Sequence, residues 1–156
     1  MAGSRLNVSA ADLQARIRIR LLNGANPASA VVAWQDGDAE VLVYVGSLAL
    51  RLTQGWLVVS VDLESKETGR GTLRVPFFLG RAERGAGLHA SCGQDPGNHP
   101  ALAGRWGGVL QTAIWNGVLD VLEGAFAFAQ KRAPGLDLTL LSFSAGEGTV
   151  TLDVES

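Results

Sequence analysis

The sequence predicts an α+β fold, in which an antiparallel β-sheet meander of six to eight strands curls over one long helix. Two observations support this prediction. Short β-rich runs separated by turn residues occupy residues 29–91, and an apolar stretch without proline follows from 101 to 132. A short N-terminal helix and a C-terminal β-hairpin complete the predicted fold. With 156 residues, 47% of them hydrophobic, the chain can bury a substantial core, and we expect a single domain over 1–156.

The N-terminal helix is predicted from a capping pattern and from helical spacing. Ser9 and Asp12 resemble a capping box at the start of a helix. Apolar residues at helical spacing follow: Leu13, Ile17 and Leu21. We therefore predict a helix over residues 9–22. The alternation of arginine with apolar residues over 16–21 leaves a half-buried strand as the alternative for that part.

Six β-rich runs predict the meander. They are Ala30–Gln35, Glu40–Val45, Leu48–Thr53, Trp56–Leu63, Thr72–Leu79 and Gly87–Ser91. Connectors that contain glycine, at 36–38, 54–55 and 68–71, suit the tight turns of antiparallel hairpins. Within residues 57–64, polar residues alternate with apolar ones, so we expect one face of this strand to be buried and the other to face water. The polar residues are Ser60, Asp62 and Glu64.

The long helix is predicted over about residues 101–132. Pro100 suits the first turn of a helix, and the sequence Ala-Pro-Gly at 133–135 suits its end. Apolar residues cover most of its circumference, so the helix needs more than one apolar neighbour. Two further runs, Leu136–Phe143 and Thr149–Val154, predict the closing hairpin.

The surface of the long helix is the predicted interaction surface. Several glycines lie within it, and because each costs roughly 1 kcal/mol relative to alanine, we expect another element to approach its backbone closely. That element is the concave face of the sheet or the same helix of a second subunit. We therefore predict a homo-oligomer, a dimer, and the residues expected at its interface are Trp106, Trp115, Gly117 and Phe126.

Composition restricts the possible partners and the location. The formal net charge of −2 disfavours binding to nucleic acid or to an anionic membrane. The apolar window 109–129 contains Asp120 and Glu123, which are costly at hydrocarbon depth, so we expect no membrane span. Residues 1–14 show no secretory signal, and a single cysteine forms no internal disulfide, so we expect a cytoplasmic protein. The excess of arginine over lysine favours a GC-rich bacterial genome.

Residues 89–99 contain both histidines and the single cysteine of the chain, as His89, Cys92 and His99. Imidazole and thiolate are ligands that zinc prefers, so one hypothesis is a zinc site with these three ligands. Their spacing matches none of the paired zinc motifs, and the glycine and proline around them are typical of a loop. We favour the loop, and a nucleophilic Cys92 is a further alternative.

Two other charged patterns have simple structural interpretations. Arg16, Arg18 and Arg20 would form an anion-binding row on a strand, but we favour a solvated surface. The acidic residues within 36–40 resemble the start of a calcium loop, but we favour a hairpin turn because the later ligands are missing.

Few residues of the types used in catalysis are present, with two histidines, one cysteine and one tyrosine. The leading expectation is a small bacterial cytoplasmic protein without catalytic activity or a cofactor. It would self-associate or bind a protein partner through apolar surfaces around the long helix. The alternative is a small ligand-binding or metal-dependent enzyme, with zinc in a pocket between sheet and helix near His89, Cys92 and His99.

Overall fold

The computed structural model describes residues 3–66, 69–79, 91–92 and 105–155. The helices and strands of this part of the chain are, in order, β1 (Gly3–Ser9), α1 (Ala10–Leu22), β2 (Val32–Asp36), β3 (Ala39–Thr53), β4 (Trp56–Ser65), β5 (Gly69–Phe78), β6 (Ser91–Cys92), α2 (Arg105–Arg132), β7 (Thr139–Ala145) and β8 (Thr149–Glu155). The predicted α+β class is confirmed, with its long helix, short N-terminal helix and C-terminal hairpin.

The strands form two antiparallel sheets rather than one. The predicted meander is the five-stranded sheet β2-β3-β4-β5-β6, and the hairpin β7–β8 belongs to a separate three-stranded sheet of order β1-β8-β7. The strand β1 was not predicted, and it pairs with β8 from Gly3 opposite Glu155 to Ser9 opposite Thr149. The hairpin therefore belongs to the second sheet and does not extend the meander.

One long strand replaces two of the predicted runs. Both Glu40–Val45 and Leu48–Thr53 lie in β3, and its register with β4 shifts between Tyr44 and Ala49. The Ser47 hydroxyl donates a hydrogen bond to the Tyr44 carbonyl at 2.6 Å and accepts one from the Asp62 amide at 2.8 Å. These bonds satisfy backbone groups where the extra residues interrupt the ladder, so the strand continues through a bulge.

The first helix begins and ends where the sequence predicts. The Ser9 hydroxyl caps it by accepting a hydrogen bond from the Asp12 amide at 3.1 Å, and Asn23 ends it in the left-handed conformation. Leu13, Ile17 and Leu21 are fully buried on one side. The alternative of a strand over residues 16–21 is therefore wrong, because a strand would bury Ile19 on the same face as Ile17 and Leu21, and Ile19 is 51% exposed.

One side of the second helix is buried in the core. The buried residues on this side are Trp106, Leu110, Ile114, Val118 and Leu122. It ends at Arg132, as predicted, and residues 101–104 of its predicted start lie outside the described residues. Across the parts of the chain that the structure describes, neither helix combines the length and apolar character that a membrane span requires.

A single hydrophobic core includes residues of both helices and both sheets. The two sheets also meet at one corner through three backbone hydrogen bonds. The Gly55 amide donates to the Ala145 carbonyl at 2.9 Å, the Ala145 amide to the Leu79 carbonyl at 2.8 Å, and the Leu79 amide to the Gly55 carbonyl at 2.8 Å. These contacts fix the tight turn at Gln54-Gly55 against the end of β7, and so hold one end of the five-stranded sheet in place.

Candidate functional site

The predicted zinc ligands do not form a described site. Cys92 lies in β6, opposite Phe77 of β5, and His89 and His99 lie outside the described residues. The zinc hypothesis therefore stays a prediction. Elsewhere, among the residues that the structure describes, no three histidine, cysteine or acidic side chains are grouped as metal ligands. The acidic segment 36–40 forms the β2–β3 hairpin, with Gly37 at a φ of 65°.

The three arginines of α1 make contacts within the chain. Arg16 and Arg20 donate to the carboxylate of Asp120 on α2, at 2.9 Å and 2.8 Å. Arg18 donates to the Ser29 carbonyl at 3.0 Å. Hydrogen bonds from Arg20 and then Arg16 lower the pKa of Asp120 from 3.8 to about 2. This cluster joins the two helices, and each of the three arginines has a hydrogen-bond partner within the chain.

The predicted interface residues of α2 have mainly intrachain neighbours. Trp106 is buried in the core, and Trp115 stacks on Phe77 with ring centres 5.4 Å apart. A Cβ added at Gly117 would lie 2.7 Å from the Ile17 Cα, so α1 is the element that approaches this glycine. Phe126 is half-buried. A second subunit is therefore not required to explain the small residue at 117 or the position of Trp115.

Apolar exposure on α2 is scattered. Among its described side chains, the exposed large apolar residues are Val109 at 43% and Phe128 at 62%. They lie 19 residues apart in the helix, or about 28 Å at 1.5 Å per residue. Two such distant side chains do not form one continuous apolar surface.

A continuous surface lies instead on the five-stranded sheet. Phe77 of β5 contacts α2, so the helices cover that side, and we call the opposite side of β3, β4 and β5 the outer face. On β4 the buried positions are Leu57, Val59, Val61 and Leu63, and the outer positions are Trp56, Val58, Ser60, Asp62 and Glu64. Directly opposite these outer positions, on β5, stand Phe78, Pro76, Arg74, Thr72 and Arg70.

One end of the outer face is apolar. We define the aromatic patch as Trp56, Val58, Pro76 and Phe78, which form two adjacent cross-strand pairs. Trp56 and Phe78 meet edge to face with ring centres 5.2 Å apart, yet they remain 43% and 46% exposed. The Phe78 ring also lies 3.4 Å from the position of a Cβ at Gly55 in the adjoining turn. Two large aromatic side chains thus contact each other while remaining exposed to solvent.

The other end of the outer face is polar. We define the polar cluster as Tyr44, Asp62, Glu64, Arg70 and Thr72. The Tyr44 hydroxyl donates to Glu64, and the Arg70 guanidinium lies 3.9 Å from the centre of the Tyr44 ring. Asp62 accepts hydrogen bonds from Thr72 at 2.8 Å and from Arg70 at 3.1 Å. Each member of the cluster has a partner within the chain.

In the polar cluster, the pKa values of Tyr44 and Asp62 are both shifted further from neutral pH. The hydrogen bond to Glu64 raises the pKa of Tyr44, and burial adds to this shift. The hydrogen bond from Thr72, followed by that from Arg70, lowers the pKa of Asp62. A general acid or base works best with a pKa near the operating pH. Tyr44 is therefore held protonated and Asp62 ionised at neutral pH.

A cavity of about 420 Å³ adjoins the polar cluster at Glu64. Its lining is mostly charged and consists of Asp38, Glu40, Leu42, Glu64, Ser65 and Lys66. Typical small-molecule pockets are lined mainly by apolar side chains with a few polar groups. Four of the six lining residues here are charged, so the cavity resembles a hydrated concavity of the surface more than a ligand pocket.

The sequence contained a signal for the aromatic patch. Ser60, Asp62 and Glu64 mark the solvent face of β4, and two more steps of the same alternation place Val58 and Trp56 on that face. The patch extends from β4 onto β5 because Trp56 is paired with Phe78. The register between strands was not predicted, so this surface was not recognised.

Comparison of the chain with models of known protein families, with curated proteins and with solved structures finds no match.

Proposed function

We propose that this chain is a non-catalytic domain that associates with a second copy of itself to form a homodimer. The supporting observation is the aromatic patch, in which Trp56 and Phe78 stand next to each other on the outer face of the sheet and are about half exposed. Contiguous exposed apolar patches on soluble domains mark interaction sites. Tryptophan is also among the residues that contribute most to the binding energy of interfaces.

The polar cluster supports a binding role rather than proton transfer. Tyr44 and Asp62 have pKa values shifted away from neutral pH, and their polar atoms are used in hydrogen bonds within the cluster. Charged groups on a surface instead favour a partner with complementary charges and disfavour one with like charges. The dimer needs no metal or cofactor, and the net charge of −2 supports neither nucleic acid nor an anionic membrane as partner.

The homodimer is proposed to act in the cytoplasm of a bacterium. Support comes from the single cysteine, which suits a reducing compartment, and from the excess of arginine over lysine. Under such conditions, association depends on the apolar and charged groups of the surface rather than on disulfide bonds.

Analytical ultracentrifugation of the purified chain tests the proposal. We expect a species of about twice the chain mass of 16.3 kDa at high micromolar concentration. Trp56→Ser combined with Phe78→Ser removes the aromatic patch, and we expect the dissociation constant to rise by about 30-fold or more, as for the loss of interface hot spots.

Phe128→Ser is the matched control, because Phe128 is the more exposed aromatic residue but lies on α2. We expect this variant to dimerise as the parent chain does. A parent chain that stays monomeric at these concentrations would contradict the proposed function. Loss of the dimer in Phe128→Ser, with the patch variant still dimeric, would place the interface on the long helix instead.

A further inference from the structure

We infer that the two copies pack their outer faces together, with the twofold axis parallel to the strands and midway between β4 and β5. This inference rests on the proposed homodimer and specifies its geometry. It is drawn from the order of residues along the two strands, which makes the outer face complementary to itself about this axis.

A twofold axis in this position exchanges β4 of one copy with β5 of the other. Each outer residue of β4 then faces the residue that is already its cross-strand partner within the chain. Trp56 faces Phe78, and Val58 faces Pro76, so the two aromatic patches cover each other. At the opposite end Glu64 faces Arg70. Apolar groups thus meet apolar groups, and an acidic group meets a basic one.

The central rows fit the same arrangement. Ser60 faces Arg74 and Asp62 faces Thr72, so no two like charges are directly opposed along the β4–β5 seam. The intrachain bond of Glu64 uses its Oε1 atom, and a carboxylate carries a second acceptor oxygen that a partner's guanidinium can reach. Each twofold dimer would contain this acid–base contact twice.

A twofold axis perpendicular to the strands is less favourable. Placed across the middle row, it would oppose Arg74 of one copy to Arg74 of the partner subunit, and Trp56 and Val58 to Glu64 and Asp62, while Phe78 and Pro76 would face Arg70 and Thr72. Like-charge contacts and the burial of charges against apolar groups both weaken association. The order of residues along the strands therefore selects the parallel axis.

The face that the axis opposes directly is small. The axis exchanges β4 and β5, and these two strands of ten residues, at about 3.4 Å per residue and about 4.8 Å apart, give about 330 Å² in projection. Accessible surface exceeds projected area because side chains protrude, but the contact stays below the roughly 800 Å² per partner of a standard interface, as in weak or transient association. Packed sheets are commonly rotated by about 30°, so the inferred contacts of the end rows require the strands of the two copies to run closer to parallel than this.

Charge reversal tests the inferred axis. Glu64→Arg places two basic residues opposite each other across the dimer, and Arg70→Glu places two acidic ones there. We expect each variant alone to form a homodimer with a dissociation constant about 10–100-fold higher than that of the parent chain. An equimolar mixture restores both acid–base contacts, so we expect a heterodimer with nearly the parent affinity.

The ion pair between Arg5 and Asp153 provides the matched control. It also joins opposed residues of adjacent strands, at 3.1 Å, but it lies on the three-stranded sheet. We expect Arg5→Glu and Asp153→Arg to leave dimerisation unchanged. Circular dichroism verifies that each variant is folded. If a charge-reversal variant does not fold, the neutral substitution at the same position, Glu64→Gln or Arg70→Gln, replaces it.

The outcomes separate the two proposals. If the parent chain is monomeric, the proposed function itself fails. If the parent chain dimerises but neither substitution at Glu64 or Arg70 weakens the dimer, the inferred axis is wrong. The axis is also wrong if both reversals weaken the homodimer and their mixture forms no heterodimer. A heterodimer that forms in preference to both homodimers supports the inferred axis.

Discussion

Gly117 marks the closest approach between the two helices. A methyl group at this position would lie 2.7 Å from the Cα and 3.0 Å from the amide nitrogen of Ile17. Backbone atoms of a packed helix do not move aside as a flexible side chain does, so only glycine fits here. The sequence predicts that some element approaches the long helix closely, and the structure identifies that element as α1.

A pair of glycine substitutions in one helix tests this contact. Overpacking a core typically costs 1–3 kcal/mol, so we expect Gly117→Ala to lower the free energy of unfolding by about that amount. Gly124 lies in the same helix with no atom within 4 Å of an added Cβ, so Gly124→Ala should raise it by about 0.5–1 kcal/mol. Urea unfolding measures both changes. Equal effects from the two substitutions would show that Gly117 does not contact α1.

At the scale of elements, the two helices are also joined by charge. Asp120 of α2 accepts hydrogen bonds from Arg16 and Arg20, which lie one turn apart on α1. The spacing of these two arginines was visible in the sequence, but it fitted a strand face as well as a helix. On a strand, residues 16 and 20 would share a face but lie about 13 Å apart. One helical turn brings them to about 6 Å, close enough to share the Asp120 carboxylate.

The Asp120 cluster predicts a pH dependence of stability. The pKa of Asp120 falls from 3.8 to about 2 in the folded chain, so its stabilisation is complete above about pH 4 and is lost as the pH falls toward 2. Solvent screens these partly exposed pairs, and we expect Asp120→Asn to cost about 1 kcal/mol at pH 7.

The measurement is the difference in unfolding free energy between parent and variant at several pH values. We expect this difference to shrink toward zero near pH 2, where the parent carboxylate is protonated. Asp153→Asn, which removes the contact with the more exposed Arg5, is the control and should cost only a few tenths of a kcal/mol. A difference that stays constant with pH would show that charge does not contribute to the contact.

At the scale of the whole molecule, the outer face is a large sheet surface with an apolar and a polar end. The inner side of the same sheet contacts α2 through Phe77, so the helices already cover that surface. The aromatic patch is therefore the continuous apolar area that the described strands leave for another molecule. This is why association is proposed at the sheet rather than around the long helix.

Dimerisation predicts that thermal stability depends on concentration. Unfolding of a dimer separates its chains, so mass action favours the folded state as concentration rises. For a chain of this length we expect the Tm to rise by about 4 °C when the concentration is increased about 100-fold. Differential scanning calorimetry of the parent chain and of the Trp56→Ser, Phe78→Ser variant measures this. The same concentration dependence in both would argue against dimerisation through the aromatic patch.

Local sequence patterns determined the fold class and most of the elements. Ser9 and Asp12 marked the start of α1, the alternation around Ser60 marked the solvent face of β4, and glycine marked the tight turns. Each of these signals depends on neighbours a few residues away, which is the range over which capping, hydrophobic period and turn conformation act. Such features can therefore be predicted from the sequence alone.

Tertiary structure decided which elements meet. Strand β1 pairs with β8 across a separation of 148 residues between Arg5 and Asp153, and no local pattern specifies such a partner. The register that places Trp56 beside Phe78 is likewise set by the pairing of two strands. The sequence by itself determined that one face of β4 is exposed. Only the folded chain decided that this face continues across β5 as one surface, because continuity between strands depends on their register.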